Sequence, residues 1–179
     1  IFRRDRTSWI KEAKLPPSND PLTEGFGFTV SAKANTVIVG DIAYGALQEG
    51  AAFIYEYEST SKAWTQSGEA LMNDGCSNLF ANFVRLTHDE GLLVGCWGNK
   101  SIYYYEKQGL RNEYVLQQVI EPDGSIRSGA PQQFSIEVDK NVMVVSETRE
   151  DTSDVIHFYV LKDHNWQEIK KIDDPTVDA

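Results

Sequence analysis

A chain of 179 residues, of which 41% are apolar and 25% are charged, is long enough for one globular domain with a sizeable core. Its formal net charge of −10 argues against nucleic acid and anionic membrane surfaces as partners, because both attract clustered Lys and Arg. Every apolar run is far shorter than the ~20 residues that span a bilayer, so no membrane insertion is expected.

The predicted elements repeat along the chain. An aromatic residue opens each unit, at spacings of 55, 50 and 52 residues: Trp9, Trp64, Tyr114 and Trp166. After each of the first three, a loop containing Pro, Gly, Asn or Asp leads into three short β-branched or aromatic runs. In chain order these runs are residues 26–31, 37–40 and 53–57, then 80–85, 92–95 and 102–106, then 133–138, 143–146 and 155–160. Such runs between turn residues are typical of strands, and no window has a helical period, so the sequence predicts an all-β fold.

Several predicted strands are apolar at successive positions, as in residues 92–94 and 102–105. Such strands must be covered on both faces, whereas a sandwich usually shows cleaner alternation. The period of about 50 residues suits four-stranded antiparallel sheets packed as the blades of a β-propeller, with other β repeats as the alternative. The boundaries predicted are a closing strand of a preceding blade in 1–15, blades in 16–71, 72–120 and 121–172, and a tail in 173–179.

Three blades are too few to close a propeller, which usually has four to eight. Two apolar faces would then be open to water. We therefore expect this chain to be part of a larger propeller, with those faces covered by the rest of the same polypeptide or by other protein subunits.

The first unit resembles the FG-GAP repeats of integrin-α-type propellers at residues 25–31, 37–41 and 50–55. The second unit keeps Phe80 and Gly95 of this pattern, while the third departs from it at residues 132–133 and 146. The resemblance implies an extracellular recognition or assembly module rather than an enzyme. Propellers of this kind often hold calcium between their first two strands. The turns at 33–35, 87–91 and 139–141 are too short to supply six to eight oxygen ligands, so no metal or other cofactor is predicted.

Catalytic patterns are missing from the sequence. His88, His157 and His164 have no second His or Cys at metal-ligand spacing, and no Gly-x-Ser-x-Gly or phosphate-binding Gly-rich motif occurs. Asp41 and Glu147 end the second strand of units one and three, and a glycosidase needs two carboxylates roughly 5–10 Å apart. The simpler interpretation is that this position tolerates polar groups at a loop mouth.

The longer loops, at 16–25, 41–50, 72–78, 121–132 and 147–153, fall on one face of the predicted propeller. Long loops on a rigid scaffold are common recognition sites. We therefore expect partner or ligand binding on this long-loop face, through Asp41, Tyr44, Trp97, Glu147 and Arg149. Trp97 either stacks on a sugar or packs beside a strand end. The four repeated aromatics are instead predicted to be core residues.

Cys76 precedes the first strand of unit two and Cys96 follows the second. Because antiparallel strands bring these ends together, a disulfide is plausible, and two separate buried thiols are the alternative. A loop of about 20 residues closed by that bond contributes roughly 3 kcal/mol in the chain-entropy model.

The function expected is a non-catalytic interaction or assembly module, secreted or at the cell surface. Two alternatives stay open: a propeller that binds or cleaves carbohydrate, and a scaffold subunit of a large intracellular complex. An oxidised cysteine pair would favour an extracellular or lumenal location, and free thiols an intracellular one.

Overall fold

The computed structural model describes residues 1–16, 25–76, 78–109, 113–122, 134–147 and 154–173. Within these ranges all regular structure is β, which confirms the all-β prediction. A hairpin is followed by three four-stranded antiparallel sheets. The strands are β1 (Phe2–Asp5) and β2 (Ser8–Lys11); β3 (Phe26–Lys33), β4 (Thr36–Asp41), β5 (Ala51–Glu58) and β6 (Ala63–Gln66); β7 (Phe80–Leu86), β8 (Leu92–Cys96), β9 (Ser101–Gln108) and β10 (Glu113–Ile120); and β11 (Phe134–Asp139), β12 (Val142–Glu147), β13 (Val155–Lys162) and β14 (Asn165–Asp173).

Each sheet is a meander in which consecutive strands are neighbours; we call β3–β6, β7–β10 and β11–β14 the first, second and third sheets. The turn between the first two strands contains a residue with positive φ in every sheet: Ala34, Glu90 or Lys140. A left-handed residue lets the chain reverse within two or three positions. The four-stranded antiparallel sheets predicted from the repeat are thus present, while the described strands do not close into a ring.

The second sheet is buried on both faces, as its successive apolar residues predict. One face packs on the first sheet, where Leu92 and Val94 share a cluster with Ile38. The other face packs on the third sheet, where Leu93 and Tyr104 meet residues of β12 and β14. Because side chains alternate across a strand, adjacent residues of β8 serve two different cores.

The outer face of the first sheet is partly covered by the N-terminal segment. Ile1 and Leu15 pack against a cluster that contains Phe53. The predicted core role of the repeated aromatics holds for Trp166, which is buried, but is wrong for Trp9, whose side chain is 68% exposed. Trp166 packs edge-on against Tyr104 of the second sheet, whereas the described residues include no sheet in the corresponding position beside Trp9.

A disulfide joins Cys76 to Cys96, with the Cα atoms 5.8 Å apart. Cys96 ends β8, and Cys76 lies in the loop before β7, which pairs with β8. Both side chains are buried. The alternative of two separate thiols therefore does not describe this structure.

Polar side chains link adjacent sheets at the end of the molecule that carries the short turns. Glu56 of the first sheet accepts a bond from Lys107 Nζ at 2.8 Å. Glu106 of the second sheet lies 3.0 Å from His164 Nδ1 of the third. Glu56 pairs with Thr36 at the start of β4, and Glu106 occupies the same position in the second sheet. These two contacts therefore repeat from one interface to the next.

Alkaline pH should destabilise the fold through the buried phenol of Tyr105. Burial raises the pKa of Tyr105 from 10.0 to about 12, although Asn73 donates a hydrogen bond to its hydroxyl. The unfolded chain therefore loses this proton first, so the free energy of unfolding falls as pH rises from about 10 to about 12. A difference of two pKa units corresponds to a loss of about 2–3 kcal/mol.

Urea unfolding of Tyr105→Phe and the unchanged protein at pH 8 and pH 11 checks this expectation. The variant should lose less stability than the unchanged protein over this interval. Burial also raises the pKa of Tyr55, Tyr104 and Tyr114, so part of the alkaline loss should remain. Identical losses for both proteins would contradict the assignment to Tyr105.

Candidate functional site

The outward face of the third sheet carries a cluster of partly exposed apolar side chains, with polar residues such as Glu137 and Lys170 beside them. On β12 and β13, alternate side chains point into the core, and the others form this second face. Val144 lies opposite Phe158, and both are half-buried; Ile156 is 38% exposed. We call it the third-sheet face, formed by Val142, Val144, Ile156, Phe158, Val160 and Ile172.

The same positions are covered in the other two sheets. The pair Val144–Phe158 corresponds to Ile38–Ile54 in the first sheet and to Leu93–Tyr104 in the second, by strand register. All four of these side chains are buried by the sheet that follows. Ile156 corresponds to Ala52 and Ile102, which are both 0% exposed. The third-sheet face therefore has the composition of an interface that another sheet covers.

One position makes the third-sheet face more apolar than its counterparts. Val160, opposite Val142, stands where the first two sheets have Glu56 and Glu106. Those glutamates bind Lys107 and His164 of the next sheet. A partner at the third-sheet face would meet a valine there and would need no matching cation.

Two residues of the predicted long-loop face mainly support their own loop. The buried carboxylate of Asp41 accepts a hydrogen bond from the Ala43 amide at 3.1 Å, which stabilises the turn after β4. Tyr44 packs edge-on against Phe53, with ring centroids 5.3 Å apart. Asp41 is fully buried, whereas Tyr44 is half-buried.

Of the other residues predicted for that face, Trp97 is half-buried after β8, and its amide donates to the Leu79 carbonyl. Glu147 is buried at the end of β12. Arg149 lies outside the described residues, as do most of the predicted loops at 16–25, 121–132 and 147–153.

Asp41 and Glu147 occupy matching strand ends but belong to the first and third sheets. Cys96 holds the same position in the second sheet, which lies between them. The structure therefore gives these carboxylates separate surroundings.

His157 is the polar residue whose surroundings the sequence did not indicate. Its imidazole is fully buried, with Nε2 3.7 Å from Glu147 Oε2 and Nδ1 3.5 Å from Glu168 Oε1. The position of His157 along the strand could have indicated its burial. Every second residue of β13 faces inward, and His157 shares this inward face with Val155 and Tyr159. The His157 imidazole thus lies between two carboxylates near the end of this sheet, with its side chain fully buried.

In the described part of the chain, no group of three His, Cys, Asp or Glu side chains is placed to hold a metal ion. The described residues include no helix of the length and hydropathy that crosses a membrane.

Comparison with protein-family models, with curated proteins and with solved structures finds no significant match. Within the described residues, the third-sheet face is a set of neighbouring apolar side chains that the sheet pattern leaves partly open.

Proposed function

We propose that the chain is a run of consecutive β-propeller blades, similar to FG-GAP repeats, and that it works as a non-catalytic assembly module. The third-sheet face binds a four-stranded sheet of a partner protein. The single observation that carries this proposal is the exposure of Ile156 at a position where Ala52 and Ile102 are buried by a following sheet.

Physical chemistry supports a sheet as the occupant. Val142, Val144 and Val160 are β-branched and stand on a pleated surface, which packs well against a second such surface about 10 Å away. Contiguous apolar patches on monomeric proteins commonly mark interaction sites. The two internal interfaces already show this mode of packing twice in one chain.

The disulfide supports a location outside the reducing cytosol. Cys76 and Cys96 are both buried and bonded to each other, and such bonds persist mainly in oxidising compartments. We therefore propose a secreted or cell-surface protein.

Substitution of the third-sheet face should abolish the complex and leave the fold intact. A photo-crosslinking residue at position 158 should capture the partner from an extract of the producing cells, and Ile156→Asp should remove the crosslink. Because Ile156 is already 38% exposed, Ile156→Asp should change the free energy of unfolding by less than about 1 kcal/mol. Crosslinked peptides identified by mass spectrometry should come from a strand of the partner.

Leu47→Asp is the matched control, because Leu47 is 80% exposed in the loop between β4 and β5. It should keep the crosslink. Loss of the complex in Leu47→Asp but not in Ile156→Asp would instead assign binding to the long-loop face. Absence of any crosslink from position 158 in a folded protein would contradict the proposal.

A further inference from the structure

The outermost strand of the second sheet, β10, has a free edge. Among the described strands β10 pairs with β9 alone, so every second residue directs a backbone N–H and C=O away from the sheet. Proteins usually protect such an edge by a short strand or by charged side chains, because an exposed edge pairs readily with another strand. The other two sheets show both devices: β6 has four residues, and β14 carries Glu168, Lys170 and Lys171.

β10 is neither short nor charged. It has eight residues, and the seven that follow Glu113 are all uncharged. Strand register places Leu116 and Val119 at the positions of Glu168 and Lys171. Leu116 is 40% exposed and Val119 is 44% exposed, so apolar side chains meet solvent where the third sheet has charged ones. Both strands contain a β-bulge, so a bulge does not distinguish them.

A cavity of about 500 Å³ lies beside β10, between the second sheet and the loop that follows β6. This volume is within the range of pockets that bind small ligands or side chains. Its apolar lining includes Ile54, Leu71 and Tyr114. Tyr114 lies near the start of β10 on the same side as Leu116, because side chains alternate along a strand. A strand that pairs with β10 would therefore pass close to this cavity.

The cavity is acidic at its rim. Glu69 and Glu113 line it and are exposed, and none of its described lining residues is Lys or Arg. A Lys or Arg side chain can lay its aliphatic stem along an apolar wall while its charged end stays near water and carboxylates. The formal net charge of −10 also attracts basic segments. The cavity therefore suits a basic side chain.

We infer that β10 binds an extended segment of a partner protein that carries lysine or arginine at alternating positions. The segment pairs with the free edge of β10, and one basic side chain enters the cavity beside Tyr114. In this mode of recognition the main-chain hydrogen bonds supply affinity, and pockets for alternate side chains supply specificity. The site lies on the second sheet, apart from the third-sheet face, and does not depend on the proposed function.

A second copy of the chain is a poorer occupant. Two β10 strands paired edge to edge would bring no basic side chain to either cavity, because Glu113 is the one charged residue of β10. The formal charge of −10 on each copy adds repulsion.

The test is a nuclear magnetic resonance titration of the full chain with a synthetic peptide in which arginine alternates with valine. We expect saturable shifts at the backbone amides of β10 and at the ring of Tyr114. Two control peptides separate the contributions: glutamate in place of arginine removes the charge match, and N-methylation of the amides removes the main-chain donors. Each change should weaken binding by at least about tenfold.

Val119→Lys gives β10 the charge that β14 carries at the same position. Val119 is already 44% exposed, so the fold should persist, and binding should weaken about fivefold because lysine repels the arginines. The double variant Glu69→Gln, Glu113→Gln should weaken binding to a similar extent. Val142→Lys is the matched control, because Val142 is 40% exposed on the third sheet, and it should bind the peptide unchanged.

A peptide site on β10 is overturned if no saturable shift occurs up to 1 mM peptide (about the weak limit of specific binding). It is also overturned if either control peptide binds as well as the arginine peptide, or if Val119→Lys and Val142→Lys behave alike. Shifts in β10 that depend on chain concentration without peptide would assign the edge to a second copy. Shifts confined to the third-sheet face would reject the β10 site and leave the proposed function standing.

Discussion

Replacing Gly50 with alanine should lower the free energy of unfolding by about 3–5 kcal/mol. Gly50 has a φ of +85°, which side-chain-bearing residues rarely adopt, and an added Cβ would collide with the backbone of Phe80. That backbone cannot move freely, because the Phe80 amide donates to the Glu49 carbonyl at 2.8 Å where the first and second sheets meet. Chemical denaturation measured by circular dichroism gives the change.

Gly68→Ala and Gly109→Ala separate the effect of the positive φ from the effect of the collision with Phe80. Both glycines have positive φ, at +75° and +69°, and an added Cβ meets no atom within 4 Å at either position. Each substitution should lower the free energy of unfolding by only about 1 kcal/mol, because only the backbone conformation becomes unfavourable. If all three variants lose the same stability, contact with Phe80 does not explain the effect at Gly50.

Removing the disulfide should cost about 3 kcal/mol, because the bond closes a loop over a sequence separation of 20 residues. The Cys76→Ala, Cys96→Ala double variant removes the bond without leaving a buried thiol. Urea unfolding with and without reductant measures the loss. Because the second sheet packs against both neighbouring sheets, the loss of stability should extend to the whole stack.

Reductant provides the internal control for this prediction. It should lower the unfolding midpoint of the unchanged protein to near that of the double variant and leave the double variant unaffected. An unchanged protein with the same midpoint in both conditions would show that the bond contributes no stability.

The strands could be predicted from the sequence because the residue pattern that specifies a strand is local. A run such as residues 92–95, bounded by turn residues, specifies a strand and its two covered faces without knowledge of the neighbours. The same locality explains the error at Trp9, which repeats the pattern of Trp64 and Trp166. Burial depends on which strands stand beside the hairpin, and a repeat cannot specify that.

The candidate site was less accessible to sequence reasoning. Residues 143–145 have the same successive apolar pattern as 92–94, and only the packing shows that Val144 is half-buried while Leu93 is fully covered. The long-loop residues Asp41 and Tyr44 were chosen for their chemical type. Their contacts with Ala43 and Phe53 depend on how the loop folds back, which residue type does not determine.

The meander order of the strands has a consequence for synthesis. Every sheet is built from consecutive segments, so each can form as soon as its roughly 40–50 residues have left the ribosome, within about 2–10 s at 5–20 residues per second. Hairpins close in about 1–10 μs, so translation, and not strand pairing, sets the pace. The third sheet emerges last of the three. Its open side therefore appears only after the first and second sheets have had time to form.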